Sequence, residues 1–215
     1  ADAAAARLIE ALPEREATAG EGVRAFEPLR EGVVIPSDVG YAALGVSVPG
    51  YDASRQLASR VVSLGWLWNA VRVQGGAYGV GFKRSTEGLR QFWSFRDPSV
   101  DATLARYDAA AAWLSEWDGT CEELEGYIVA TVAAHDAPVK PRQLARRQDV
   151  SRFNARPATW RDEVRQQELS ATAEGTRELA AALADTKAAR GICVFGGRDA
   201  IEACGVTFDS VTELC

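Results

Sequence analysis

Methionine is absent from the 215 residues, and histidine occurs once, at position 135. The zinc motifs HExxH and HxxEH each need two histidines on one helix face, so neither can exist here. A Ser-His-Asp triad could be built only on His135. That residue stands before Asp136-Ala137-Pro138 at the end of a predicted helix, where the dipole favours a cation, and we read it as a helix-terminal residue. Cysteine is scarce: Cys121, Cys193, Cys204 and Cys215 are widely spaced and form no CxxC pair. This excludes a disulfide framework and a paired-thiolate zinc site, and it leads us to expect reduced thiols in a bacterial cytoplasm. Positive charge is in deficit, with 24 Lys plus Arg against 30 Asp plus Glu and a net charge of −6, so no nucleic acid partner is expected. No apolar run approaches the ~20 residues of a membrane span, so no membrane partner is expected either. The lack of Met, even at position 1, leads us to expect a processed chain or a piece of a longer one.

What is present is an ordinary globular balance, 47% hydrophobic and 25% charged residues. A short helix over Ala3 to Leu12, stopped by Pro13, and a polar stretch behind it predict an arm and linker over residues 1–25, followed by one domain over 26–215. Gly32 to Ile35 and Tyr41 to Val48 are β-rich runs around the turn Pro36-Ser37-Asp38; Pro49-Gly50 ends the second. Asp52 is a candidate N-cap for a helix in which Leu57, Val61, Leu64, Trp68 and Val71, with Leu67, form one apolar stripe. Tyr78 to Lys83 and Leu89 to Phe95 predict a hairpin turning at Thr86-Glu87-Gly88.

Beyond Arg96-Asp97-Pro98-Ser99, spacings of three and four predict helices over Val100 to Leu114 and from Gly119-Thr120 through Val132. A basic helix over 142–153 reads as a solvated face. One long helix is predicted from Pro157 to about Ala188, then a strand at Ile192 to Phe195, a short helix over Arg198 to Cys204, and a strand or coil at Val206 to Phe208. The order predicts an α+β fold, a mostly antiparallel sheet with helices on one face.

The centre of interest is Arg72-Val73-Gln74-Gly75-Gly76-Ala77-Tyr78-Gly79-Val80-Gly81, where glycines allow positive φ or close backbone approach. Gly76 to Gly81 has the spacing of a phosphate loop, but Phe82-Lys83 replaces Lys-Ser/Thr and a helix precedes it, so nucleotide binding is rejected. Gly196-Gly197 is read as a plain turn. Two readings of Arg72 and Tyr78 stand side by side. In one, a Tyr hydroxyl donates to a developing oxyanion and an Arg fork orients a carbonyl or carboxylate. In the other, Tyr78 is a cross-strand core aromatic and Arg72 a helix-end cation.

Leu67-Trp68-Asn69-Ala70-Val71-Arg72-Val73-Gln74-Gly75-Gly76-Ala77-Tyr78-Gly79, with Phe95-Arg96-Asp97-Pro98, Asp136-Ala137-Pro138 and Arg161-Asp162-Glu163-Val164, resembles the C-terminal part of presequence proteases. These belong to the insulysin and pitrilysin group of zinc metallopeptidases, and the likeness covers roughly residues 30 to 213. The resemblance implies a half-domain of the insulysin or mitochondrial processing peptidase type, in a protein of two similar halves that close around an unfolded peptide. It implies that the N-terminal half, in the same polypeptide or a partner subunit, binds the zinc, and that this chain binds none and is inactive alone. It implies that Arg72 and Tyr78 join the shared active site, with Gly75, Gly76 and Ala77 along the substrate. An alternative within the same fold is a non-catalytic partner subunit or peptide-binding module; a stand-alone hydrolase using His135 is the third reading.

Overall fold

The alternation of apolar and small or polar residues in Tyr41-Ala42-Ala43-Leu44-Gly45-Val46 suits a strand with one covered face. In the computed structural model Ala42, Leu44 and Val46 are buried while Tyr41, Ala43 and Gly45 are half-exposed. The structure describes residues 27–47, 54–85, 88–184 and 190–214, with isolated positions between 3 and 11. The expected arm and linker therefore lie largely outside the described residues, as do Pro49-Gly50, Asp52, Thr86-Glu87 and the expected helix end near Ala188.

Among the described residues one sheet holds β1 (Arg30–Val34), β2 (Tyr41–Ser47), β3 (Gly79–Arg84), β4 (Leu89–Phe95), β5 (Gly191–Gly196) and β6 (Ser210–Glu213). Their spatial order is β3-β4-β2-β5-β1-β6. β2 runs antiparallel to β4 and β5, and β3 to β4, whereas β1 is parallel to both β5 and β6. The sheet is mixed, with three antiparallel pairings against two parallel ones, within an α+β fold. Val206 to Phe208, expected as strand or coil, is coil; the last strand is Ser210–Glu213, whose four residues are all exposed and so carry no apolar signal.

The helices are α1 (Ser54–Val61), which runs directly into a π-helical segment (Val62–Val73), α2 (Val100–Ser115), α3 (Cys121–His135), α4 (Pro141–Phe153), α5 (Trp160–Leu169), α6 (Ala173–Ala184) and α7 (Arg198–Glu202). Leu57, Val61, Val62, Leu67 and Val71 are fully buried against the covered face, but Leu64 and Trp68 of the expected stripe are 46% and 42% exposed. The reason is the winding. Hydrogen bonds from i to i+5 take about one residue more per turn than an α-helix, so positions three apart no longer share a face: Leu64 turns away from Val61, and Trp68, four beyond Leu64, follows it outward. Ser63 fixes the start of this segment, its hydroxyl lying 2.8 Å from the N–H and the C=O of Phe82 on the edge strand β3.

The expected long helix from Pro157 is two helices. Thr172 Oγ1 accepts the Gly175 N–H at 3.1 Å and begins α6 as an N-cap, and the turn at Ser170 separates it from α5. α3 is started by a full capping box between Thr120 and Glu123.

Candidate functional site

The π-helical segment ends at Arg72 and Val73, and the chain must then reverse into β3. Gly75 and Gly76 permit this for different reasons. A Cβ on Gly75 would lie 2.5 Å from the Val71 carbonyl oxygen and against the Arg106 guanidinium, so packing demands glycine there. Gly76 has φ +79°, the left-handed region that costs other residues roughly 1–2 kcal/mol. The run is tied on both sides: Gly76 N–H donates to the Arg72 carbonyl at 3.1 Å, Ala77 N–H to that of Val71 at 3.2 Å, and Tyr78 N–H to that of Arg96 at 3.2 Å. The glycines thus hold a defined reversal, where the sequence alone pointed to backbone freedom. Ala77 is 3% exposed and its side chain packs into the core beneath the turn.

Arg72 and Tyr78 are brought together. The guanidinium carbon of Arg72 lies 4.1 Å from the Trp68 ring centre and 5.9 Å from that of Tyr78, within cation–π reach of both. Tyr78 is 65% exposed, and its ring meets Phe95 edge-on at 5.9 Å, which in turn meets Tyr41 at 5.3 Å. Tyr78 is thus the cross-strand aromatic of the second reading, but an exposed one just before β3 and not a core residue. Trp68 and Phe95 are the members that sequence reasoning missed. Trp68 belongs to the expected apolar stripe; its spacing of four from Arg72 is the available signal.

His135 is not a simple helix terminus. Its Nδ1 lies 3.5 Å from Glu168 Oε2, and its carbonyl accepts Arg161 Nη2 at 2.9 Å. Burial pushes the Glu168 carboxyl up to about 6, with Asp136 adding to the shift, and burial also lowers the imidazole, helped by Arg161. Both changes favour the neutral forms, so near neutral pH the imidazole is uncharged and the contact is not an ion pair. Among the described residues no serine, threonine or cysteine is hydrogen-bonded to the His135 ring, so nothing there forms a triad with it.

Among the described residues no group of three or more His, Cys, Asp or Glu side chains could hold a metal ion, and no described helix is long and apolar enough to cross a membrane. A family model described as the PreP C-terminal domain matches residues 30–195. The chain is 28% identical over 193 residues to protein HypA of Clostridium perfringens, covering 86% of this chain and 19% of that protein. It is 35% identical over 139 residues to presequence protease 1, chloroplastic/mitochondrial, of Arabidopsis thaliana, covering 61% and 13%. The chain thus spans less than a fifth of the length of these relatives. The peptidase M16 inactive domain from Pseudomonas fluorescens superposes with a TM-score of 0.69 at 19% identity, over 91% of this chain and 50% of that one, a likeness of fold.

Proposed function

Because the chain belongs to the PreP C-terminal domain family, we propose that it is the zinc-free half of a metalloendopeptidase that degrades unfolded peptides. Its N-terminal counterpart, in the same polypeptide or as a partner subunit, holds the zinc. The observation that carries the proposal is the pairing of Arg72 with Tyr78 beside a packed glycine reversal, presented outward at one end of a buried helix.

In this reading Tyr78 donates its hydroxyl hydrogen bond to the scissile carbonyl as negative charge develops on it. Arg72, stacked on Trp68, holds the tyrosine or the substrate in place with a fixed cation. Gly75 and Gly76 let the substrate backbone pass close to the turn. Residues 26–215 act as one domain behind the arm of residues 1–25. The free thiols Cys121, Cys193 and Cys204 support a reducing compartment, the cytoplasm.

Mixing the chain with a purified N-terminal half of this family restores chelator-sensitive cleavage of an unfolded peptide, and neither half cleaves alone. Cleavage by this chain by itself would overturn the proposal. Peptide binding without cleavage in every such mixture would leave the non-catalytic partner subunit in its place.

A further inference from the structure

Away from Arg72 and Tyr78, the first turns of the same helical run open onto a cavity of about 700 Å³, within the size range of small-molecule sites. Its walls are α1, the end of β3, α3, α4 and α5. Six arginines line it, Arg60, Arg84, Arg146, Arg147, Arg156 and Arg161, against one carboxylate, Glu168. That is a quarter of the 24 basic residues of a chain whose net charge is −6, so the concentration is local and opposes the overall balance.

The placement of α4 adds a second observation. This helix buries none of its residues, yet it aims Arg146 and Arg147 into the cavity while Arg142 and Arg152 on the same helix do not line it. The face of α4 over the cavity carries these two cations and no carboxylate. Opposite stand Arg60, half-buried on α1, and Arg161, whose Nη2 is already anchored to the His135 carbonyl. The face of Trp160 is covered by Arg156 at 4.3 Å, which leaves charge rather than stacking as the means of recognition.

We infer that this cavity is a binding site for a small, multiply charged anion bearing phosphate or carboxylate groups, held between α4 and the α1–α5 wall. Guanidinium forks match both oxyanion geometries and bind them with charge-assisted, bidentate hydrogen bonds. Glu168 is the built-in counter-charge, so it opposes the ligand. Because α4 is otherwise held by little, the ligand fastens it to the body.

The test is calorimetric titration of the 215-residue chain with pyrophosphate and, separately, with citrate, beside hydrogen exchange of residues 141–153. At least one anion binds with a saturating one-site isotherm and slows exchange in α4; which of the two binds more tightly identifies phosphate or carboxylate as the preferred group. Arg147→Gln, on an exposed helix position that leaves the fold intact, weakens binding about tenfold, the worth of one charge-assisted contact. Arg60→Gln does the same, Glu168→Gln tightens binding, and Arg152→Gln leaves it unchanged although it removes the same charge. No saturable binding of either anion, or equal weakening by Arg147→Gln and Arg152→Gln, overturns the inference.

Discussion

Replacing Tyr78 by phenylalanine lowers kcat of the reconstituted enzyme by about 10²–10³-fold, the usual loss when one donor to an oxyanion is removed. The change deletes a single oxygen and keeps the ring, so the edge-on contact with Phe95 and the Arg72 contact persist. KM stays nearly constant if the hydrogen bond strengthens only as the carbonyl gains charge, because such a bond contributes to the transition state and not to the ground state. Stability is also untouched, since Tyr78 is largely exposed, and thermal unfolding measured beside the kinetics separates a lost donor from a damaged fold. A variant with kcat within a few-fold of the parent removes Tyr78 from the chemistry.

Gly75→Ala acts through the opposite route, packing first and activity second. The new methyl would meet the Val71 carbonyl oxygen at 2.5 Å and the Arg106 side chain. The arginine can swing away, but the carbonyl belongs to the last turns of the π-helical segment, where Gln74 N–H donates to Asn69. Relief requires that turn to open, and Arg72 sits in it. Overpacking of this kind costs about 3 kcal/mol, a fall in Tm on the order of 6–12 °C for a chain of this length. Gly76→Ala is milder, about 1 kcal/mol, because only the left-handed φ is at stake and the nearest atom, Pro98 Cγ, lies at an ordinary 3.4 Å. Calorimetric unfolding of the two variants orders them; equal stability of Gly75→Ala and the parent contradicts the packed reversal.

Much of the fold could be read from residue order. The hairpin β3–β4, the strands β1, β2 and β5, and α2 and α3 follow period-two and period-3.6 patterns with glycine, proline or Thr120 at their ends. Failures occur where another force replaces periodicity. Leu64 and Trp68 leave the core because wider winding rotates them outward, and composition does not announce a π-helix. The break between α5 and α6 rests on one hydroxyl, Thr172, capping Gly175, a local bond that an unbroken apolar spacing conceals. β6 is held by pairing with β1 and buries no side chain, so nothing in its own sequence marks it.

At the site, Arg72 and Tyr78 were legible as a pair flanking glycines, and the structure brings their side chains within reach. Trp68, which stacks on Arg72, was hidden by the same winding. The separate jobs of Gly75 and Gly76 were invisible because close packing and positive φ both call for glycine. The arginine-lined cavity escaped altogether: its members come from α1, β3, α4 and α5 and the turn before α5, and only the fold gathers them.

The most direct test of a divided active site is photo-crosslinking from position 78, with a benzophenone amino acid replacing the tyrosine. In the presence of the N-terminal half, the probe at 78 captures an unfolded peptide, and a probe at Phe153, 89% exposed on α4, does not. Capture at 153 equal to that at 78, or no capture at 78 in a mixture that binds peptide, would contradict the placement of Tyr78 beside the substrate.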